Sequence, residues 1–189
     1  MRAISLRHRR FSPLLVVAAV ACGDDAQLPP PQFENVVDTA VLHALTGTPV
    51  ATPSGFDGVQ GVTVRTDLNR PFDFAVDLDG ANVLQLLPAG ALGYAAEAGL
   101  LISTESFDGI TTAPLDGYVP DSVRAADLGT VFVLRSRASS ELCALGGVLP
   151  RYSKFRVLAI DLPQRAITLE FLVDRNCGYR GLEPGLPAD

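Results

Sequence analysis

The seven residues Phe72–Leu78, FDFAVDL, constrain the fold more than any other stretch of this chain. Phe72, Phe74, Val76 and Leu78 share one face of an extended backbone, and Asp73, Ala75 and Asp77 share the other. This strict period of two predicts an antiparallel strand with one dry side. Asp79-Gly80 then supplies turn chemistry, and Val83–Leu87 reads as the returning strand. The pattern recurs in Arg156–Ile160 and Ala166–Val173, which flank the Pro-containing connection Asp161–Arg165. There Ile167, Leu169, Phe171 and Val173 form the apolar face.

Gly129–Arg137 begins apolar on both faces, as a central strand does, and Gly99–Ser103 adds a shorter one. Val37–Leu45 holds enough Ala and Leu for a helix, but Thr39 and Val41 favour a strand, and we read it as one. With 17 glycines and 14 prolines punctuating the chain at short intervals, long helices have little room. The expectation is an all-β domain, an antiparallel β-sandwich or small barrel of about 7–9 strands.

The first 21 residues differ in kind. Arg2, Arg7, Arg9 and Arg10 precede an uncharged apolar run, Phe11–Ala21, and small residues lead into Cys22. A basic start, a short apolar stretch and a small-residue cleavage site predict a secretory signal peptide, and the run falls short of the ~20 residues a membrane-spanning helix needs. Gly23–Phe33 follows, acidic and carrying Pro29–Pro31, with the composition of an extended spacer. The expected organisation is a signal at 1–21, a Pro-rich tether at 22–34, one β-rich domain at 35–180 and a C-terminal tail at 181–189.

Three cysteines in an exported chain leave one odd thiol. If Cys22 is modified, Cys143 and Cys177 are left to pair with each other. Their bridge would close a 35-residue loop, worth roughly 4 kcal/mol by chain entropy. Loss of the signal leaves 11 basic against 21 acidic residues, a net charge of −10. Such a surface repels phosphate backbones and anionic headgroups, which argues against nucleic-acid partners and against membrane attachment through a basic patch.

Leu14–Cys22, LLVVAAVAC, resembles the lipobox of bacterial lipoproteins, with Ala19 where leucine is most usual. The resemblance implies lipidation of Cys22 and a membrane partner held through that lipid. Gly23 after the cysteine, rather than Asp, implies sorting to the outer membrane, with the domain on its periplasmic or surface face. The layout of lipobox, Pro-rich tether, small β domain and NCGY segment (Asn176–Tyr179) resembles uncharacterised envelope lipoproteins of bacteria, which carry no activity to transfer.

The residues offer little catalytic chemistry. The mature chain holds one histidine, His43, and no G-x-S-x-G elbow to single out Ser103, Ser106, Ser139 or Ser140 as a nucleophile. His43 shares a strand face with Thr39 and Val41 and reads as a surface or edge residue. With one histidine and a paired Cys143–Cys177, no zinc set is available. The anchor-tether-β layout is similar to that of the HmuY-like haem-capturing lipoproteins, but those ligate iron through paired histidines, so no cofactor and no haem is expected.

Asp73, Asp77 and Asp79 are spaced to form an acidic strand face. The segment Asp77–Asn82 superficially resembles a calcium loop but lacks its glycine at the required offset and its closing glutamate. Arg135, Arg137, Arg151, Lys154 and Arg156 fall at the ends of two successive strands, either converging on an anion or pairing with the aspartates and solvent. Phe107 and Tyr118 read as loop anchors packed on the core. The expected function is non-enzymatic: binding of a protein or small molecule, or a structural role. Two alternatives stay open, a carboxylate-dependent hydrolase of envelope polymer and capture of a small hydrophobic ligand inside the β fold.

Overall fold

The computed structural model describes residues 28–68, 70–141, 143 and 147–187. The signal expected at 1–21, Cys22 and the first part of the expected tether lie outside these residues. Ten strands run in order as β1 (Val37–His43), β2 (Gly55–Asp57), β3 (Val62–Val64), β4 (Phe74–Leu78), β5 (Leu84–Pro88), β6 (Gly99–Ser103), β7 (Arg124–Ala126), β8 (Val131–Arg135), β9 (Tyr152–Asp161) and β10 (Ala166–Val173). They form two five-stranded sheets, β1-β10-β9-β8-β6 and β3-β2-β4-β5-β7, with every pairing antiparallel. The fold is therefore a sandwich rather than a closed barrel. β2, β3 and β7 bring the count to ten, and at three residues each they are too short to show a period.

The two hairpins read from alternation form as expected. In the β4–β5 turn, Asp79 Oδ1 accepts the amides of Ala81 (2.8 Å) and Val83 (2.9 Å), and Asn82 takes a positive φ of 62°. This is the local side-chain bonding that makes aspartate a turn former. The β9–β10 connection closes with Arg165 at φ 49°. β10 sends Ile167, Leu169, Phe171 and Val173 inward, and β4 sends Phe74, Val76 and Leu78 to meet them.

Five phenylalanines fill the space between the sheets. Phe56 and Phe74 come from one sheet; Phe132, Phe155 and Phe171 come from the other. Phe155 sits centrally, stacked on Phe132 at 4.8 Å and edge-on to Phe56 at 5.1 Å and Phe74 at 5.3 Å. Each such pair adds about 0.5–1.5 kcal/mol beyond its buried area.

Phe72 departs from the pattern read in the sequence. The strand starts at Phe74, and Phe72 packs with Val64, Ala75 and Ala89 in a separate cluster on the far side of the sheet.

The outer face of the β1-β10-β9-β8-β6 sheet is also covered. The loop after β6 contributes Phe107, Ile110 and Ala113, and the C-terminal segment contributes Leu182; they pack on Val131, Val133, Tyr152 and Leu172. Tyr118 leans on this cluster. The C-terminal residues are fastened by backbone bonds, Leu182 N to Thr111 O (2.7 Å) and a reciprocal pair between Gly185 and Asn35. Cys143 and Cys177 form the disulfide, with Cα atoms 5.3 Å apart.

Candidate ligand-binding cleft

The three aspartates do not share a face. Asp73 precedes β4 and is fully buried. Asp77 accepts Thr46 N (3.1 Å) and Thr46 Oγ1 (2.9 Å), with Arg165 at 3.5 Å, and so ties the β1–β2 loop to β4. Asp79 is exposed and spends its oxygens on the turn and on Gln85. The period-two reading put them together; the bend between Phe72 and Phe74 separates them.

Nor do the five basic residues converge. Arg135 lies over the Tyr118 ring at 5.2 Å. Lys154, buried on the outer face of β9, donates to Ile110 O (3.0 Å) and covers Phe107 at 4.6 Å. Burial lowers its pKa. Arg156 pairs with Glu170 on the neighbouring strand at 2.6 Å. Arg151 lies against the disulfide, and Arg137 bonds two aspartates. Neither sequence reading describes the set: only Arg137 meets an aspartate of the Phe72–Leu78 segment, while the other four go to a ring, a glutamate, backbone carbonyls and the disulfide.

The Arg137 pairing marks the most distinctive polar site. Its Nη1 donates to Asp73 Oδ2 at 2.9 Å and its Nη2 to Asp57 Oδ1 at 3.0 Å. Asp73 also accepts the backbone amides of Arg137 (Oδ1, 2.8 Å) and Gly58 (Oδ2, 2.7 Å). Asp57 Oδ1 further accepts Val59 N (2.9 Å) and Gln60 N (3.2 Å), capping the β2–β3 turn. Gly58 is needed here, because a Cβ would lie 2.6 Å from Leu134 Cδ2 and 3.2 Å from Asp73 Oδ2. Burial pushes the Asp73 carboxyl above its ordinary range, while the Arg137 charge and the two backbone amides oppose the rise.

Asp73 and Arg137 form part of the wall of a surface cleft of about 380 Å³. Phe72, Tyr94, Ala89 and Ala98 give it apolar walls, and Arg70 and Glu97 contribute charge. Tyr94 meets Phe72 edge-on at 5.1 Å yet remains 58% exposed. It follows Gly93, whose φ of 83° ends the short 3₁₀ turn Ala89–Leu92. An exposed aromatic over an apolar floor, with buried charge beside it, suits an amphipathic molecule. Sequence reading found Asp73 and Arg137 but missed Asp57, Tyr94 and Phe72 as neighbours. The Asp57-Gly58 dipeptide was the one available signal, since it marks a turn.

The tether behaves differently at its domain end. Asn176 Oδ1 accepts Gln32 N (2.7 Å) and Phe33 N (3.0 Å), and Asn176 Nδ2 donates to Phe33 O (2.8 Å). Tyr179 Oη donates to Pro29 O at 3.0 Å, and Arg175 covers the Phe33 ring at 5.0 Å. Residues 29–33 are thus bound along the loop that carries Cys177, rather than standing free as a spacer. His43 ends β1 opposite Ala166, half-buried on the sheet edge. No protein-family model matches this chain, and no curated protein matches it either.

Proposed function

We propose that this chain is a lipid-anchored lipoprotein of the bacterial envelope, held through Cys22, whose β-sandwich binds a small amphipathic ligand in the Phe72–Tyr94 cleft without transforming it. One observation carries the binding half of the reading. The cleft is open and aromatic, yet the carboxylates at Asp73 and Asp57 are already engaged by Arg137 and by backbone amides. Hydrolysis by paired carboxylates needs an acid or base whose lone pairs face substrate. Here Asp73 and Arg137 brace the wall, which leaves Glu97 as a single open carboxylate among the described lining residues, without the second one a paired mechanism needs, and Phe72 and Tyr94 give the cleft its aromatic side. Capture between the sheets has little room, since the five phenylalanines occupy that space. The volume lies in the range of small-molecule sites, about 300–1,000 Å³.

The anchor half rests on the LLVVAAVAC segment and on the acidic balance of the rest, which leaves lipid as the means of attachment.

The test is intact mass of the protein purified from its native envelope. Under denaturing conditions the expected chain begins at Cys22 with acyl additions and lacks two hydrogens for the disulfide. A bare chain would overturn the anchor. Under native conditions an extra mass is expected that disappears in Tyr94→Ala. An identical native spectrum for Tyr94→Ala and wild type would overturn the cleft.

A further inference from the structure

Arg151 is the largest fully buried side chain of the domain, and no carboxylate among the described residues lies within ion-pair distance of it. Its backbone amide donates to Ser136 Oγ (2.9 Å), its Nε to Arg175 O (3.1 Å), and its Nη2 to Glu141 O. Nη1 has no hydrogen-bond partner among the described residues. The Nη2 atom also lies 3.1 Å from Cys177 Sγ and 3.9 Å from Cys143 Sγ. Glu141, Asp57 and Asp174 act on the guanidinium only from beyond contact distance, and a buried cation with no contacting counter-charge is costly. It gains one whenever the nearer sulfur becomes a thiolate. The two cysteines also differ in access: Cys177 is buried, whereas Cys143 is half-exposed.

From this arrangement we propose that Cys143–Cys177 is a directional thiol-exchange site, open to small or protein dithiols. The incoming thiolate attacks Sγ of Cys143, the less buried of the two cysteines. The Cys143–Cys177 bond breaks, and its electron pair goes to Cys177 Sγ, which leaves as a thiolate held by Arg151. The second thiol of the dithiol then attacks the mixed disulfide and frees Cys143. Two cysteines are reduced, and the dithiol is oxidised to its own disulfide. Exchange is faster when the leaving thiol has a low pKa, and a neighbouring guanidinium lowers it. The site needs neither the cleft nor the lipid anchor. It touches the tether, because Asn176 and Tyr179 on either side of Cys177 hold residues 29–33.

The experiment uses the full chain and two readouts on the unmodified sequence. Brief exposure to reduced glutathione, acid quenching and peptide mapping should place glutathione on Cys143 and leave Cys177 as free thiol. After reduction by a dithiol, alkylation of Cys177 should titrate at least one pH unit below the ordinary thiol value of about 8.5. Arg151→Gln should slow glutathione exchange on the order of tenfold, with partial rescue in Arg151→Lys. If Arg151→Gln does not fold, the two readouts on the unmodified chain decide. Glutathione on Cys177, an even split between the sulfurs, a Cys177 midpoint at or above 8.5, or resistance to both reductants would overturn the proposal.

Discussion

Replacing Arg137 with alanine tests whether the buried aspartate beside the cleft is structural. Asp73 is 0% exposed. The substitution removes its only side-chain donor among the described residues, the Nη1 contact at 2.9 Å, and with it the compensating charge. Breaking a buried ion pair from one side costs about 3–5 kcal/mol. The low end applies, because the amides of Gly58 and residue 137 remain on Asp73 and two turn amides remain on Asp57. A loss of about 3 kcal/mol, with a urea slope of about 2 kcal/mol per M, lowers the midpoint by about 1.5 M. Urea titration followed by far-UV circular dichroism at pH 7 reads it directly.

The pH dependence is the sharper half of this prediction. Burial already holds the Asp73 carboxyl above its ordinary range, and loss of the Arg137 charge pushes it higher. A carboxyl whose folded pKa exceeds its unfolded value binds more protons in the native state. Its favourable contribution is complete below the unfolded value, near 3.9, and is lost as pH rises through the folded one. The deficit of Arg137→Ala relative to wild type should therefore shrink as pH falls from 7 towards 4. A deficit under about 1 kcal/mol, unchanged across that window, would mean a solvent-screened pair. It would also return Asp73 to the pool of free acids and revive the hydrolase reading.

Other substitutions test other parts of the molecule. Phe155→Ala should cost about 3–5 kcal/mol in the same titration, because it empties the middle of the aromatic core. Gly58→Ala should lose about 1–3 kcal/mol, since the new methyl meets Leu134 and crowds Asp73. Asn176→Ala should raise amide hydrogen exchange and proteolysis at residues 29–33 while leaving the β-sheet amides protected. The Asp174 carboxyl is pushed up to about 6, chiefly by burial. Its contribution is therefore complete below about 3.9 and lost as pH rises through 6, which by linkage costs about 2–3 kcal/mol at pH 7. Asp174→Asn should gain on wild type by that order between pH 4 and pH 7, and a flat difference in urea midpoints would contradict it.

The strands that announced themselves in the sequence are those with one dry and one wet face. β10 and β4 alternate because Thr168, Glu170 and Asp77 on their outer sides stay half-buried, although Leu172 and Ala75 join outer apolar clusters. The start of β9 does not alternate, since the loop bearing Phe107 and Ile110 covers its outer side and buries Lys154. The three-residue strands were invisible for lack of length. The disulfide was legible through arithmetic, not geometry: three cysteines with one set aside leave a single pairing. The candidate site was mostly illegible. Arg135, Lys154 and Arg156 are close in sequence terms, yet cross-strand pairing sets Arg135 opposite Tyr152, Lys154 opposite Val133 and Arg156 opposite Val131, where each meets a different neighbour. Phe72 lies just ahead of β4 and Tyr94 in the loop after the 3₁₀ turn, where no periodicity predicts a partner.

Burial of charge in this sandwich is uneven, and the unevenness separates stability from function. The inter-sheet core is built chiefly from apolar side chains, with the buried Ser153 at the start of β9 beside them. Asp57, Asp73, Arg137, Arg151 and Asp174 instead join a polar seam along the strand ends. Ser136 links its halves, donating to Arg137 O at 2.7 Å while accepting Arg151 N at 2.9 Å. From Arg151 the seam reaches Cys177, and Asn176 beside it reaches Phe33 of the tether. Buried ionic groups are weak sources of stability beside well-packed hydrophobic residues. The cohesion of the two sheets therefore rests chiefly on the apolar side chains between them. What the seam does connect is the cleft wall, the disulfide and Phe33, where the described chain enters the domain. A seam of that kind holds the cleft wall in register with residues 29–33 through side chains that lie outside the apolar clusters of the two sheets.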